Sequence, residues 1–313
     1  MTRNLAVLMD PIAAINVKKD STFALLVEAQ RRGYELHYMT AGDLAQHDAS
    51  AWANLARLSV RDDPHDWYTL EAPEWRDLAT IDVILARKDP PVDEQFMHDT
   101  RVLEIAQQRG ARVVNDPRSL RDANEKLFAL QFPQCCAPTL VARDAAALKK
   151  FVAEHGDVVL KPLDGMGGRS IFRSHRGDPN VNVILETLTE NGRAFALAQK
   201  FIPEISAGDK RILLIDGEPI PYALARIPQG DEFRGNLAAG GKGVGVELSE
   251  RDRWIAAQVG PELKRRGMRL VGIDVIGDWL TEINVTSPTC IRELDQQYGL
   301  NIAGTLFDRL EAD

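Results

Sequence analysis

Short apolar runs separated by longer mixed stretches fill the first third of the chain. Leu5–Met9, Glu35–Met39, Ile81–Ala86 and Ala111–Val114 read as strands. Helices are expected over Ser21–Arg32, which Gly33 can terminate, and over Asp99–Arg109, which closes at Gly110. Strands alternating with helices predict a largely parallel, doubly wound α/β sheet. The segment Ala41–Ala79 is polar, carries Trp52, Trp67 and Trp75, and fits neither pattern well.

Asn115-Asp116-Pro117 breaks this alternation, and a helix over Ser119–Leu130 is expected to follow. Helices then alternate with pairs of adjacent strands, the pattern of antiparallel sheet and α+β organisation. The boundary falls near Leu120, which sets residues 1–120 apart from the rest.

Composition narrows the function classes. A chain of 313 residues exceeds one small core, which favours two or three packed units. No apolar run approaches the roughly 18–20 residues that span a bilayer, and the N-terminal apolar stretch is too short for a signal sequence. A cytoplasmic protein with no membrane partner is expected. With 38 basic and 46 acidic side chains the net charge is −8, and the basic residues form no long cluster, which argues against a nucleic-acid partner. Cys135, Cys136 and Cys290 are too few and too unevenly spaced for a disulfide framework or a zinc site, and the six histidines are scattered. Carboxylates, lysines, arginines and glycines are left to carry the chemistry.

Three segments hold them. The strand Val158–Leu160 runs into Lys161-Pro162, then Leu163-Asp164-Gly165-Met166-Gly167-Gly168-Arg169-Ser170, then Ile171-Phe172. A glycine loop between two strands is neither a dinucleotide fingerprint nor a P-loop, which each need a helix behind the loop. It still suits phosphate, because glycines let backbone N–H groups converge; a plain glycine hairpin with a snorkelling lysine is the alternative. Farther on, Arg269–Ile276 and Trp279–Val285 read as a hairpin carrying Asp274, Glu282 and Asn284 among apolar neighbours. A three-residue turn at Gly277–Trp279 would set Asp274 opposite Glu282; a two-residue turn would put them on opposite faces. The former is expected. Two carboxylates and an amide oxygen are hard donors of the kind Mg²⁺ takes when nucleotide phosphates supply the rest; two exposed acids on an edge strand are the alternative. Between these segments, Arg211 and Arg226 sit on strands, and the glycine-rich stretch 228–243, with Arg234 and Asn236, reads as a mobile lid or a plain flexible loop.

Lys126, then Lys161 with its glycine loop, then Asp274…Glu282-Ile-Asn284 resemble the ATP-grasp superfamily in order and spacing. Met9–Ile12, Lys18–Ser21, Arg87–Pro91, Leu163–Gly168, Arg234–Gly241 and Thr281–Arg292 narrow the resemblance to the bacterial glutathione synthetases, over nearly the whole chain. The resemblance implies a pre-ATP-grasp N-terminal unit, 1–120, followed by two ATP-grasp units with antiparallel sheets, 121–202 and 203–313, and a homotetramer. It implies that γ-glutamylcysteine, glycine and ATP give glutathione, ADP and phosphate through an acyl phosphate. Lys126, Lys161 and Gly165, Met166, Gly167 and Gly168 would hold the ATP phosphates; Gln199, Lys200, Phe201 and Ile202 would read the adenine, and Asp209 the ribose. Asp274, Glu282 and Asn284 would hold two Mg²⁺ ions, with Mn²⁺ able to stand in. Lys161, Arg211, Arg226 and Asn236 would serve the transferred phosphoryl group, and Asp10, Lys18, Arg211, Arg226, Ser287, Thr289 and Arg292 the dipeptide. Where many ATP-grasp enzymes carry glutamate in the adenine hinge, this chain has Gln199-Lys200. The alternatives are another ATP-grasp carboxylate–amine ligase and a non-catalytic nucleotide-binding regulatory module.

Overall fold

The computed structural model describes residues 3–230, 232–235, 237 and 240–312. Its first eight strands are β1 (Asn4–Leu8), β2 (Glu35–Met39), β3 (Leu44–His47), β4 (Ser50–Val60), β5 (Tyr68–Leu70), β6 (Glu74–Asp77), β7 (Val83–Ala86) and β8 (Arg112–Val114). Leu5–Leu8 and all of β7 are buried, which suits the middle of a parallel sheet covered on both faces. Accordingly β1 pairs in parallel with β2 and β7, and β7 with β8. Helices α1 (Ser21–Arg31) and α2 (Glu94–Gln108) are the crossovers. α2 begins ahead of the expected Asp99 because the Asp93 side chain accepts from Phe96 N at 2.9 Å and caps it there.

The segment that resisted reading, 41–79, is an antiparallel ribbon. β4 pairs with β2, β3, β5 and β6. Half of its buried positions are alanine, Ala51, Ala53 and Ala56, and of the others, Leu55, Leu58 and Val60, only the last is β-branched, so the strand carries little of the β-branched or aromatic signal. The expected helix over Ser119–Leu130 is two, α3 (Pro117–Asp122) and α4 (Glu125–Ala129). Asn124 restarts the helix: its side chain accepts from Lys126 N and Leu127 N at 3.2 and 3.1 Å.

The next unit is a four-stranded antiparallel sheet of β9 (Thr139–Ala142), β10 (Asp157–Pro162), β11 (Phe172–His175) and β12 (Ala196–Lys200), in the order β11-β10-β12-β9. Helices α5 (Ala145–His155) and α6 (Val181–Leu188) cover one face, where Leu148, Val152, Leu160, Leu185 and Ala198 form a core of their own. The last sheet is antiparallel too, in the order β15-β14-β13-β16-β17: β13 (Asp209–Ile215), β14 (Glu218–Ile227), β15 (Lys242–Glu247), β16 (Leu270–Ile276) and β17 (Trp279–Asn284). It is flanked by α7 (Glu250–Arg265), α8 (Ile291–Tyr298) and α9 (Ile302–Ala312). This sheet shares cores with the first unit: Leu5 and Val7 pack in one cluster with Leu213, Ile215 and Phe307, and Leu8 and Ile84 in another with Ile212 and Ile273. The parallel α/β sheet and the two antiparallel α+β sheets are those expected. Among the described residues no helix is long and apolar enough to cross a membrane.

Where α7 crosses the turn between β13 and β14, Gly217 and Gly260 touch backbone to backbone; a Cβ on Gly260 would lie 2.2 Å from Gly217 O. Gly260→Ala is therefore expected to lower stability by about 1–3 kcal/mol, the usual range for overpacking. Thermal unfolding checks this; an unchanged midpoint would mean that the turn yields freely.

Candidate active site

Alternation along β10 sends Val158 and Leu160 into the core of the middle unit and Val159 and Lys161 to its other face. Gln199 on β12 lies opposite Val159 and shares that face. The strand ends at Pro162, and the chain returns only at Phe172, which pairs with Leu160. Gly167 and Gly168 turn the loop between them with φ of 64° and 80°, backbone that glycine adopts without penalty. Lys126, at the start of α4, ties this loop down: its Nζ donates to Gly165 O at 2.8 Å and to Leu163 O at 3.3 Å.

The opposing wall is one face of the five-stranded sheet. Register places Asp209 beside Arg226, Arg211 beside Asp274 and Asp274 beside Glu282. The expected pairing of Asp274 with Glu282 is present, but the turn that makes it differs. Ile276 pairs with Trp279 and Val275 with Leu280, a two-residue turn, and a bulge at Thr281 then restores the register. Thr281 Oγ1 donates to Asp274 O at 3.1 Å and ties the bulge to β16.

Charges alternate across this face. Arg211 grips Asp274 with two bonds, Nε to Oδ1 at 2.5 Å and Nη2 to Oδ2 at 3.0 Å. Arg226 Nη2 bridges Asp209 Oδ2 at 2.5 Å and Asp274 Oδ2 at 2.9 Å. All four side chains are buried. Burial alone would raise the Asp274 carboxyl, but Arg211 and Arg226 outweigh it and hold Asp274 well below the usual carboxylate range. Asp209 is pushed up instead: burial raises it, Arg226 pulls down, and the neighbouring Asp274 charge adds to the rise. Its Oδ1 is buried and has no partner among the described residues, an acceptor left for a ligand.

The two walls meet at Glu282. Its Oε1 lies 3.4 Å from Lys161 Nζ and 3.7 Å from Lys126 Nζ. Burial would raise the Glu282 carboxyl, but Lys126 and Lys161 reverse that and lower it. The cleft between the walls, about 280 Å³, is lined by both lysines, the glycine loop, Gln199–Ile202, Asp209, Arg211, Arg226, Asp274, Glu282, Asn284, Ser287 and Thr289. Among the described residues no three His, Cys, Asp or Glu side chains converge on a metal by themselves. Asp274, Glu282 and the Asn284 amide nonetheless form an all-oxygen set; Asn284 Nδ2 donates to Gly272 O at 3.2 Å, and its Oδ1 has no partner among the described residues. Such a set fits Mg²⁺ when phosphate oxygens complete the shell.

The remaining expected residues are dispersed. Asp10 is exposed at the end of β1, where its Oδ2 accepts from Asp89 N at 2.9 Å; Asp89 lines the cleft, and Asp10 does not. Lys18 and Arg292 line a separate, more open hollow of about 570 Å³, and Arg292 pairs with Asp62 at 2.7 Å. Asn236 lies outside the described residues. In the 228–243 stretch, Arg234 Nη1 donates to Gly168 O at 2.7 Å, so this segment reaches the glycine loop across the cleft.

Two residues escaped the sequence reading. Glu125 Oε1 accepts from Val285 N, Thr286 N and Thr286 Oγ1 at 2.9, 3.2 and 3.0 Å, which ties the Lys126 helix to the segment carrying Ser287 and Thr289. Arg87 follows β7, buried, with Nε donating to Thr22 Oγ1 at 3.0 Å and Nη2 to Pro288 O at 2.8 Å. Burial lowers it to about 10, against Asp20 and Asp89. Only the Arg87–Pro91 string hinted at it.

Two antiparallel sheets closing on a glycine loop, two lysines and an acidic–amide set define an ATP-grasp ligase. Residues 4–121 match the N-terminal domain of prokaryotic glutathione synthetase, and residues 125–299 its ATP-grasp domain. The glutathione synthetase of Xanthomonas campestris pv. campestris is 69% identical, over 100% of this chain and 99% of its own. That of Escherichia coli strain K12 is 55% identical over 98% of each chain. The chain belongs to the prokaryotic glutathione synthetase family. Its fold is also that of a D-cycloserine synthetase, DcsG, with a TM-score of 0.68 at 17% identity over 98% of this chain and 99% of the other.

Proposed function

We propose that this chain joins γ-glutamylcysteine to glycine with ATP, releasing glutathione, ADP and phosphate. The observation that carries the reading is the meeting of Lys126, Lys161 and Glu282 across the cleft, opposite the Arg211–Asp274–Arg226 set. Four cations converge on a space bounded by carboxylates, which suits a triphosphate and a second carboxylate. Lys126, Lys161 and the N–H groups of Gly165–Gly168 hold the phosphates. The backbone of Gln199–Ile202 meets the adenine edge, and the unpartnered Asp209 oxygen meets the ribose. Asp274, Glu282 and Asn284 hold two Mg²⁺ ions, or Mn²⁺, which when bound neutralise phosphate charge.

The cysteinyl carboxylate attacks the γ-phosphorus, and ADP leaves with the electron pair of the broken P–O bond. Arg211 and Arg226 offset charge on the transferring group and on the acyl phosphate. The glycine amine then adds to the acyl carbon, and phosphate departs. Ser287 and Thr289 orient the dipeptide, while Asp10 and Arg87 hold the backbone around it. The 228–243 segment excludes water from the acyl phosphate. The units 1–120, 121–202 and 203–313 serve as substrate domain, lid and metal-bearing base. The enzyme works as a homotetramer in the cytoplasm.

The test is ADP release by the purified chain with Mg·ATP, γ-glutamylcysteine and glycine, omitting each in turn. Release that needs all three, with the tripeptide seen by mass spectrometry, supports the reading; release that ignores glycine overturns it. No cysteine enters the scheme. Cys135, Cys136 and Cys290 are buried, and burial pushes the Cys136 thiol up to about 12. Replacing all three by alanine is expected to leave kcat within about threefold, because none is held as a thiolate; lost chemistry in a folded triple variant would contradict this.

A further inference from the structure

Thr139 on β9 stands opposite Gln199 in register, next to the part of the cleft bounded by Lys200–Ile202. Its Oγ1 donates to Ala137 O at 2.8 Å. A hydroxyl has one proton, so toward Gln199 the same oxygen can only accept. Gln199 meets it at 3.1 Å, and the atom that fits is Nε2. The other end of the amide, Oε1, has no partner among the described residues, while the side chain, 5% exposed, lines the cleft. A glutamine amide can turn either end forward at almost no steric cost. Here the chain Ala137–Thr139–Gln199 removes that freedom and presents an acceptor.

We propose that Thr139 is a specificity-determining residue for the nucleotide. By fixing the Gln199 amide, it selects purine triphosphates with a 6-amino group over those with a 6-keto group. The amino group donates to Oε1; a keto oxygen would face another oxygen and leave both unpaired. This rests on the reading above that the nucleotide base lies against residues 199–202. Thr139 itself need not touch the nucleotide; it is a positioning residue acting through Gln199.

The experiment is calorimetric titration of the full chain with ATP and with ITP, in which a 6-keto group replaces the 6-amino group and N1 gains a proton. The N1 difference is common to wild type and Thr139 variants, so the change in preference on altering Thr139 reports position 6. Wild type is expected to favour ATP. Thr139→Val frees the amide to turn and should shrink the ATP:ITP preference roughly 10-fold, the scale of one unpaired polar group. Thr139→Ser should keep it. The double variant Thr139→Val/Gln199→Glu should regain it, because both carboxylate oxygens are acceptors and no orientation needs fixing. If Thr139→Val does not fold, Thr139→Ala carries the same expectation. An unchanged preference in the folded valine or alanine variant overturns the inference while leaving the nucleotide site intact. A double variant that fails to regain the preference also overturns it, pointing to packing instead. A wild-type chain that binds neither nucleotide overturns the functional reading itself.

Discussion

Arg226→Leu is expected to lower turnover roughly 100- to 1000-fold, the usual loss on removing one preorganised charge-stabilising group. It should also cost stability. Arg226 is 4% exposed and bridges Asp209 at 2.5 Å and Asp274 at 2.9 Å. Removing it leaves Asp209 without an ion-pair partner among the described residues, with Arg211 acting only from farther off, and leaves Asp274 paired with Arg211. Breaking a buried pair by removing one member costs about 3–5 kcal/mol. Arg226→Lys separates the two effects. A point charge restores part of the stability, but it cannot span both carboxylates and the transferring group at once. Urea unfolding beside steady-state kinetics reads both; a leucine variant with turnover within tenfold of wild type would remove Arg226 from the chemistry.

Glu282→Ala should slow turnover at least ~100-fold for a different reason. Glu282 is the carboxylate through which Lys126 and Lys161 of one wall meet the other, and it belongs to the all-oxygen set. Its loss leaves the buried Lys161 and Lys126 without this carboxylate, though Lys126 keeps its bonds to Gly165 O and Leu163 O. The distinguishing readout is ATP binding without divalent metal. The two lysines lose a competing carboxylate, so metal-free ATP should bind no more weakly, or more tightly, than to wild type. Binding in the presence of Mg²⁺ should weaken. Metal-free binding that collapses would mean that Glu282 holds the lysines in place.

The acidic–amide set was legible in the sequence because apolar patterning and acidic residues coincide there. Asp274, Glu282 and Asn284 stood out because carboxylates are costly among residues such as Ile273 and Ile283. Their pairing was anticipated for the wrong local reason, since a bulge at Thr281 leaves no mark on side-chain periodicity. The ribbon at 41–79 was illegible because β4 buries alanines. Lys18 and Arg292 line a hollow apart from the cleft: order along the chain says nothing about which way an arginine on α8 turns, and this one pairs with Asp62. Glu125 was hidden in plain composition. An acidic residue in the first turn of a helix is ordinary complement to the helix dipole, and nothing local says that its carboxylate reaches Thr286.

The central claim is that the cleft passes a phosphoryl group to a carboxylate before the amide forms. It is tested most directly with γ-glutamylcysteine carrying ¹⁸O in the cysteinyl carboxylate. One labelled oxygen must bridge to phosphorus in the acyl phosphate and leave with it, so each inorganic phosphate released should carry one ¹⁸O. Phosphate released without label, alongside full conversion to the tripeptide, would contradict the acyl-phosphate route.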